Sequence, residues 1–255
     1  MNRKLWPLAL LLALTACGPS PLAPDAASQP SDLTADQLIA RYEAARGGEP
    51  KLQAIQSVKM TGTWGRTAKS STPITVLIAS GRYLRQIGKD AGAHSVKAVD
   101  GPATWELNPA AGIFRPEAMA AEDAGRYRNL ADPQGPLVDP QTKGNKIEVV
   151  GKLPWRDFQV YKLKVTFPDE RVSYFYLDAK SFLPVRVVST LYLAQNGKEV
   201  AVEHIYEDYR DVGGVKWPFT EKANAPEGRV AQVTSWQKIE VNTPVNEAAF
   251  KGPQS

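Results

Sequence analysis

The chain of 255 residues contains one cysteine, Cys17, and two histidines, His94 and His204. A single thiol forbids an internal disulfide, so packing alone must hold the fold. The two histidines fall in separate strand-like runs with no second histidine or cysteine nearby, which leaves no ligand set for a metal of the zinc type. There is no G-x-S-x-G elbow, no Walker or dinucleotide glycine pattern and no fixed-period repeat. These absences remove the common hydrolase, nucleotide-binding and solenoid or propeller readings. Charge of one sign is also lacking: 31 basic residues face 27 acidic ones, which gives no electrostatic footprint for nucleic acid. No metal, cofactor or nucleic-acid partner is expected.

The longest apolar run, Leu5–Leu14 broken by Pro7, is too short to span a bilayer, which takes about 20 residues. Arg3 and Lys4 precede it and Leu14-Thr15-Ala16-Cys17-Gly18 ends it, the charged, apolar, small-residue order of a secretory signal. The ending resembles the lipobox of bacterial lipoproteins, whose cysteine is acylated and becomes the first residue of the mature protein. An ordinary signal cleavage would ask for an A-x-A arrangement, which Leu14 fits poorly. Residues 1–16 are therefore expected to be a lipoprotein signal peptide and Cys17 the lipidation site. Their removal leaves 239 residues with 29 basic against 27 acidic. The two or three acyl chains that the resemblance implies, at about 0.8 kcal/mol per buried methylene, would hold the protein on a membrane. Gly18 stands where an Asp would argue for inner-membrane retention, so the resemblance implies the outer membrane, periplasmic side.

Residues 17–33 are rich in Pro, Ala and Ser and read as a lipidated flexible tether. Thr34 with Gln37 predicts a capping box, Gly47-Gly48 a helix stop, and Pro50 the first turn of a second short helix. After Ser57 the period changes to two, with Val58, Met60, Gly62 and Trp64 alternating with polar residues. Further strands are predicted over Ile74–Ser80, Tyr83–Gly88, His94–Val99 and Thr104–Leu107, then a helix over Glu117–Leu130 and a loop over Ala131–Pro140. Seven longer strands follow: Lys146–Gly151, Phe158–Phe167, Arg171–Leu177, Pro184–Ala194, Glu199–Tyr209, Val215–Lys222 and Arg229–Val241. Compact turns between strands, without intervening helices, indicate an antiparallel meander. The strands are apolar on both faces, as in Val172-Tyr174-Tyr176 against Phe175-Leu177, which a one-faced sheet would not need. Core packing explains this, and so does a ligand cavity. The expected fold is mainly β (α+β): an incomplete antiparallel barrel or strongly curved sheet with helices on its concave face. It is a single domain over 34–251 with a tail at 252–255.

Three segments carry a family resemblance. The spacing GG-x-x-x-L-x-x-I-x-S-x-x-x-x-G (Gly47, Gly48, Leu52, Ile55, Ser57, Gly62), the YEDYRDVGGVKWP segment from Tyr206 to Pro218, and WQKIEVNTPVNEAAF resemble the bacterial exported proteins of the outer-membrane lipoprotein-sorting (LolA/LolB-like) fold. The resemblance runs from Thr34 to Phe250. It implies a half-barrel around helices with an apolar cavity for acyl chains, soluble in the carriers and lipid-anchored in the acceptors; the lipobox matches the anchored kind. Met60, Trp64 and Phe175 are the candidate cavity-wall residues.

Chemistry is thin. The acidic set Glu203, Glu207, Asp208 and Asp211 suggests a glycosidase pair or a calcium site only on paper, because Glu203 and Glu207 share one strand face and Asp208 points to the other. No catalytic residue is assigned and the chain is read as a non-enzyme. Trp155, between Pro154 and Arg156, is the candidate exposed tryptophan. The expected role is a membrane-anchored periplasmic lipoprotein binding a lipid or acylated protein. The alternative is a non-catalytic interaction module with a filled core that docks an envelope protein.

Overall fold

In a computed structural model, the structure describes residues 25–67, 70–88, 95–193, 198–224 and 232–252. Cys17 and His94 lie outside these residues. Helix α1 spans Ala35–Arg46 and α2 Glu49–Gln53. The α1 start is the capping box in full: Thr34 Oγ1 accepts the Gln37 amide and Gln37 Oε1 accepts the Thr34 amide at 2.9 Å. Gly47 ends α1 at φ 137°, a backbone conformation open to glycine.

The strands are β1 (Ser57–Gly65), β2 (Thr72–Ala79), β3 (Arg82–Ile87), β4 (Ser95–Asp100), β5 (Ala103–Asn108) and β6 (Ile113–Ala118), then, after helix α3 (Ala121–Asn129), β7 (Lys146–Trp155), β8 (Phe158–Thr166), β9 (Val172–Asp178), β10 (Pro184–Leu193), β11 (Lys198–Val212), β12 (Val215–Asn224) and β13 (Gln232–Val241). They form one 13-stranded antiparallel sheet in the order β6-β5-β4-β3-β2-β1-β13-β12-β11-β10-β9-β8-β7. Strands β1 and β13 form the seam between the two halves, and β6 and β7 are the edges and do not pair with each other, so the sheet stays open. Leu38 and Tyr42 of α1, Leu52 of α2, and Ala124 and Tyr127 of α3 share one core with inward residues of both halves, from Val58, Ile74 and Val99 to Leu163, Leu177 and Trp236.

Two sequence expectations are corrected. Glu117 and Ala118 close strand β6, and the helix starts at Ala121. Edge strand β6 has no buried face to impose a period of two, and an edge also tolerates Pro116. Strand β7 runs past Gly151 to Trp155, with a register shift at Val149/Gly151. Trp155 is half-buried against Phe158, ring centroids 5.4 Å apart, beneath the Arg156 guanidinium.

The outer face explains much of the two-sided apolar pattern. Leu84 and Val96 are covered by Phe250, itself fully buried in a short 3-10 turn, whose carbonyl accepts the Trp105 indole N–H at 2.8 Å. At the other end Leu153, Val160 and Tyr176 form a second outer cluster. Here the chain from Asp25 onward, part of the expected tether, is laid on the sheet. Gln29 pairs with Lys152 through two backbone hydrogen bonds of 2.8 and 2.9 Å. Asp25 accepts hydrogen bonds from Lys162 at 2.6 Å, Tyr176 at 2.7 Å and Arg186 at 2.6 Å. Asp32 accepts one from Tyr161 at 2.8 Å. Burial pushes the Asp25 carboxyl up, but these three donors outweigh it and hold it below its usual range.

Two tests follow from this packing. A Cβ on Gly47 would overlap the Gly214 carbonyl in addition to the positive φ. Gly47→Ala is therefore expected to destabilise by at least about 2 kcal/mol in urea melts. A depressed folded pKa means that the Asp25 clasp contributes stability above the ordinary aspartate range and loses it as pH falls through the folded value. Asp25→Asn at pH 7, or acidification of the wild type well below the ordinary aspartate range, should lower the hydrogen-exchange protection factors of the Gln29 and Lys152 amides about tenfold or more. Unchanged protection in both cases would refute the clasp.

Candidate functional site

Strand register places the candidate wall residues on the enclosed face. Met60 lies opposite Val76 and Ile239, and Trp64 opposite Thr72 and Thr234. Phe175 lies opposite Leu163 and Val187. All three are half-buried and pack against the main core. Met60 and Trp64 are on β1, while Phe175 is across the curve on β9.

Two rows of same-face neighbours span the gap between them. One runs Phe175–Val187–His204–Ala223 and the other Tyr206–Glu221–Thr234–Trp64. Polar groups missing from the sequence-derived set therefore stand between the apolar walls. His204 Nδ1 and Glu221 Oε1 are 2.7 Å apart. Arg85, two residues from Tyr83 and from Ile87 on the inward side of β3, lays its guanidinium 5.5 Å from the Trp64 ring centroid. Arg126 comes from α3.

Helix α3 is fixed over this face from both sides. Lys97 of β4 bridges Asp123 of α3 at 2.7 Å and Glu106 of β5 at 2.9 Å. Tyr127 packs against Tyr83 with centroids 5.6 Å apart. At the far end Asn129 donates to Asp169 in the β8–β9 turn at 3.2 Å. Tyr206 and Glu221 on the sheet and Arg126 on the helix each keep part of their surface accessible. Burial pushes the Tyr206 hydroxyl well above its ordinary value. Burial also pushes Glu221 up, but the His204 hydrogen bond and the charges of His204, Arg85 and Arg126 pull it below the usual carboxylate range.

Charged residues in an inward alternating series were the available signal in the sequence. Glu221 continues Val215-Trp217-Phe219, and Arg85 interrupts Tyr83 and Ile87. By contrast, the acidic set noted in the sequence is dispersed among separate partners. Glu203 pairs with Arg186, Glu207 with Lys222 at 2.6 Å, Asp208 with Arg210 at 2.6 Å, and Asp211 caps the Gly214 amide at 2.9 Å. Among the described residues no group of three or more His, Cys, Asp or Glu could hold a metal ion. A surface cleft of about 570 Å³ at the β7–β8 hairpin, bordered by Lys152, Arg156, Asp157 and Asp178, is open and carries charges of both signs. No helix among the described residues is long and apolar enough to cross a membrane.

No family model matches the chain, and no curated protein matches it. Solved structures do. The chain is similar to a LolA superfamily protein of Nitrosomonas europaea at 12% identity and TM-score 0.55, covering 86% of this chain and 98% of that one. It is similar to a domain assigned to outer membrane lipoprotein sorting from Vibrio parahaemolyticus at 12% identity and TM-score 0.51, covering 85% and 95%. A DUF1329 family protein of Desulfovibrio piger aligns at 11% identity and TM-score 0.55, covering 86% and 97%. These likenesses establish the fold: an open, strongly curved antiparallel sheet of the LolA type with helices on its inner face.

The Glu221 environment generates a pH test. Its depressed carboxyl contributes stability above the ordinary glutamate value of 4.5, and that contribution disappears as pH falls through the folded value. Between about pH 5 and pH 3 the wild type should lose about 2–4 °C more in melting temperature than Glu221→Gln. Parallel melting curves would remove the internal charge network from the account.

Proposed function

We propose that the protein is a lipoprotein anchored through acylated Cys17 to the outer membrane, where it faces the periplasm. There it holds an apolar ligand, the acyl chain of a lipid or of an acylated protein, in the enclosed face of its open sheet. The observation carrying this reading is the inward surface that joins Phe175 to Trp64 and stays accessible beneath α3. A fully packed core would leave no accessible surface on side chains placed so deep. The LolA-type fold supports the reading, as do Met60, Trp64 and Phe175 at the border of the core, where apolar side chains are half-buried rather than sealed. The lipobox-like Leu14–Gly18 segment supports the anchor. Binding without catalysis fits an enclosed face in which the His204 ring and the Glu221 carboxylate are tied to each other.

Native mass spectrometry of protein purified from membranes should find a co-purifying lipid or acylated peptide. Met60→Glu and Phe175→Glu, each placing a charge on an apolar wall, should lower its occupancy about tenfold with the circular dichroism spectrum retained. Cys17→Ser should move the protein from the membrane to the soluble periplasmic fraction. Wild-type protein free of any lipid, with a filled interior, would overturn the binding role. Firm membrane retention of Cys17→Ser would overturn the anchor.

A further inference from the structure

Two arginines turn toward the enclosed face. Arg85 reaches inward from β3 and stacks on Trp64, and Arg126 of α3 lies with its guanidinium 5.2 Å from the Tyr127 ring centroid. Among the described residues, neither guanidinium has a carboxylate within ion-pair distance. The acid whose charge is felt by both is Glu221, and it is already engaged by His204 at 2.7 Å. Arg126 also feels the charge of Asp123, which Lys97 already bridges at 2.7 Å. Both guanidiniums therefore lack a carboxylate partner of their own in a setting walled by protein, where an unpaired ion costs more than it does at the surface. Arginine cannot escape that cost by releasing its proton. Its planar fork matches a carboxylate or phosphate with two parallel hydrogen bonds. Met60, Trp64, Phe175 and Val187 provide the apolar wall beside it.

Resting on the binding role proposed above, we infer that the ligand is an anionic amphiphile whose carboxylate or phosphate headgroup sits between Arg85 and Arg126 while its chain lies along the Trp64–Phe175 wall. An acyl chain attached through an ester or amide brings no charge to that position. The inference therefore favours a free anionic lipid over an acylated protein as cargo. Tyr206 and His204 flank the same space and can complete the headgroup's hydrogen bonds. Glu221 sets a limit on the site, because its carboxylate repels an anion that leaves the two arginines.

The test uses the mature chain carrying Cys17→Ser, so that no attached acyl chain competes, and titrates it with four probes of equal chain length. Myristate and 1-myristoyl lysophosphatidate are anionic; myristyl alcohol and monomyristin are neutral. The anionic probes should bind at least about tenfold tighter than the neutral ones. Arg85→Gln and Arg126→Gln should each reduce that preference to about threefold or less. The same variants without ligand should keep a single cooperative melt, which separates lost headgroup recognition from unfolding. The preferred member of the anionic pair tells carboxylate from phosphate. Equal affinity for charged and neutral probes, or a preference that survives both arginine substitutions, overturns the headgroup assignment and leaves the binding role standing. Failure of all four probes to bind overturns both.

Discussion

The close approach of the α1–α2 corner to the β11–β12 turn governs the rest of the molecule. Gly47 has no side chain to hold it off the Gly214–Val215 backbone, so α1 can descend into the curve of the sheet. Arg46, the last residue of α1, is locked just beneath. It lies 8% exposed, donates to the Lys216 carbonyl at 3.3 Å and the Tyr42 hydroxyl at 2.9 Å, and rests 4.7 Å from the Trp217 ring centroid. With that corner fixed, Leu38, Tyr42 and Leu52 fill one end of the concavity. The other end is left to α3, which is tied by ion pairs and a ring contact rather than by a deep apolar plug. A sheet of 13 strands whose two edges do not meet needs such an internal post, because no closing pair of strands holds its curvature.

Gly62 makes the second close approach. Its missing Cβ lets the β13 backbone at Ser235 and Trp236 come up against β1 at the register shift between Thr61 and Gly62. The seam between the two halves is thus bent where Met60 and Trp64 flank it. The curvature that creates an enclosed face and the residues that line it arise from the same few positions.

Those positions show what was legible in the sequence and what was not. The glycines of the two motif-like segments could be read as fold markers, and in space Gly47 of one meets Gly214 of the other. Period-two alternation located nearly all the strands because each has one face on the core. It failed for β6, an edge strand without a buried face. It was ambiguous at the outer clusters, where Tyr174 and Tyr176 fitted either core packing or a ligand cavity. Their cover comes from the chain's own ends, which local pattern cannot reveal because the partners are separated by more than a hundred residues. The apolar wall residues were legible as large side chains in an inward series. The arginines and Glu221 between them were not singled out, since a charge in a strand ordinarily marks the solvent side.

The docking of residues 25–33 also changes what an anchor at Cys17 can do. Sixteen residues separate Cys17 from Thr34, which at full extension would span about 58 Å. With Asp25 held by Lys162, Tyr176 and Arg186, Cys17 can lie no further than about 28 Å from Asp25. An acylated Cys17 would then keep the outer face of β8, β9 and β10 close to the bilayer rather than let the domain range freely. The same sheet presents Phe175 and Val187 on its inner face, directly behind the strands that carry the clasp. An anchor at Cys17 and the enclosed wall would thus be two sides of one set of strands. Tension on the anchor would act on Arg186, which also pairs with Glu203 of β11, next to His204 in the enclosed face. Contacts on the two faces of β11 are in this way mechanically continuous, through side chains that a freely flexible tether would never have touched.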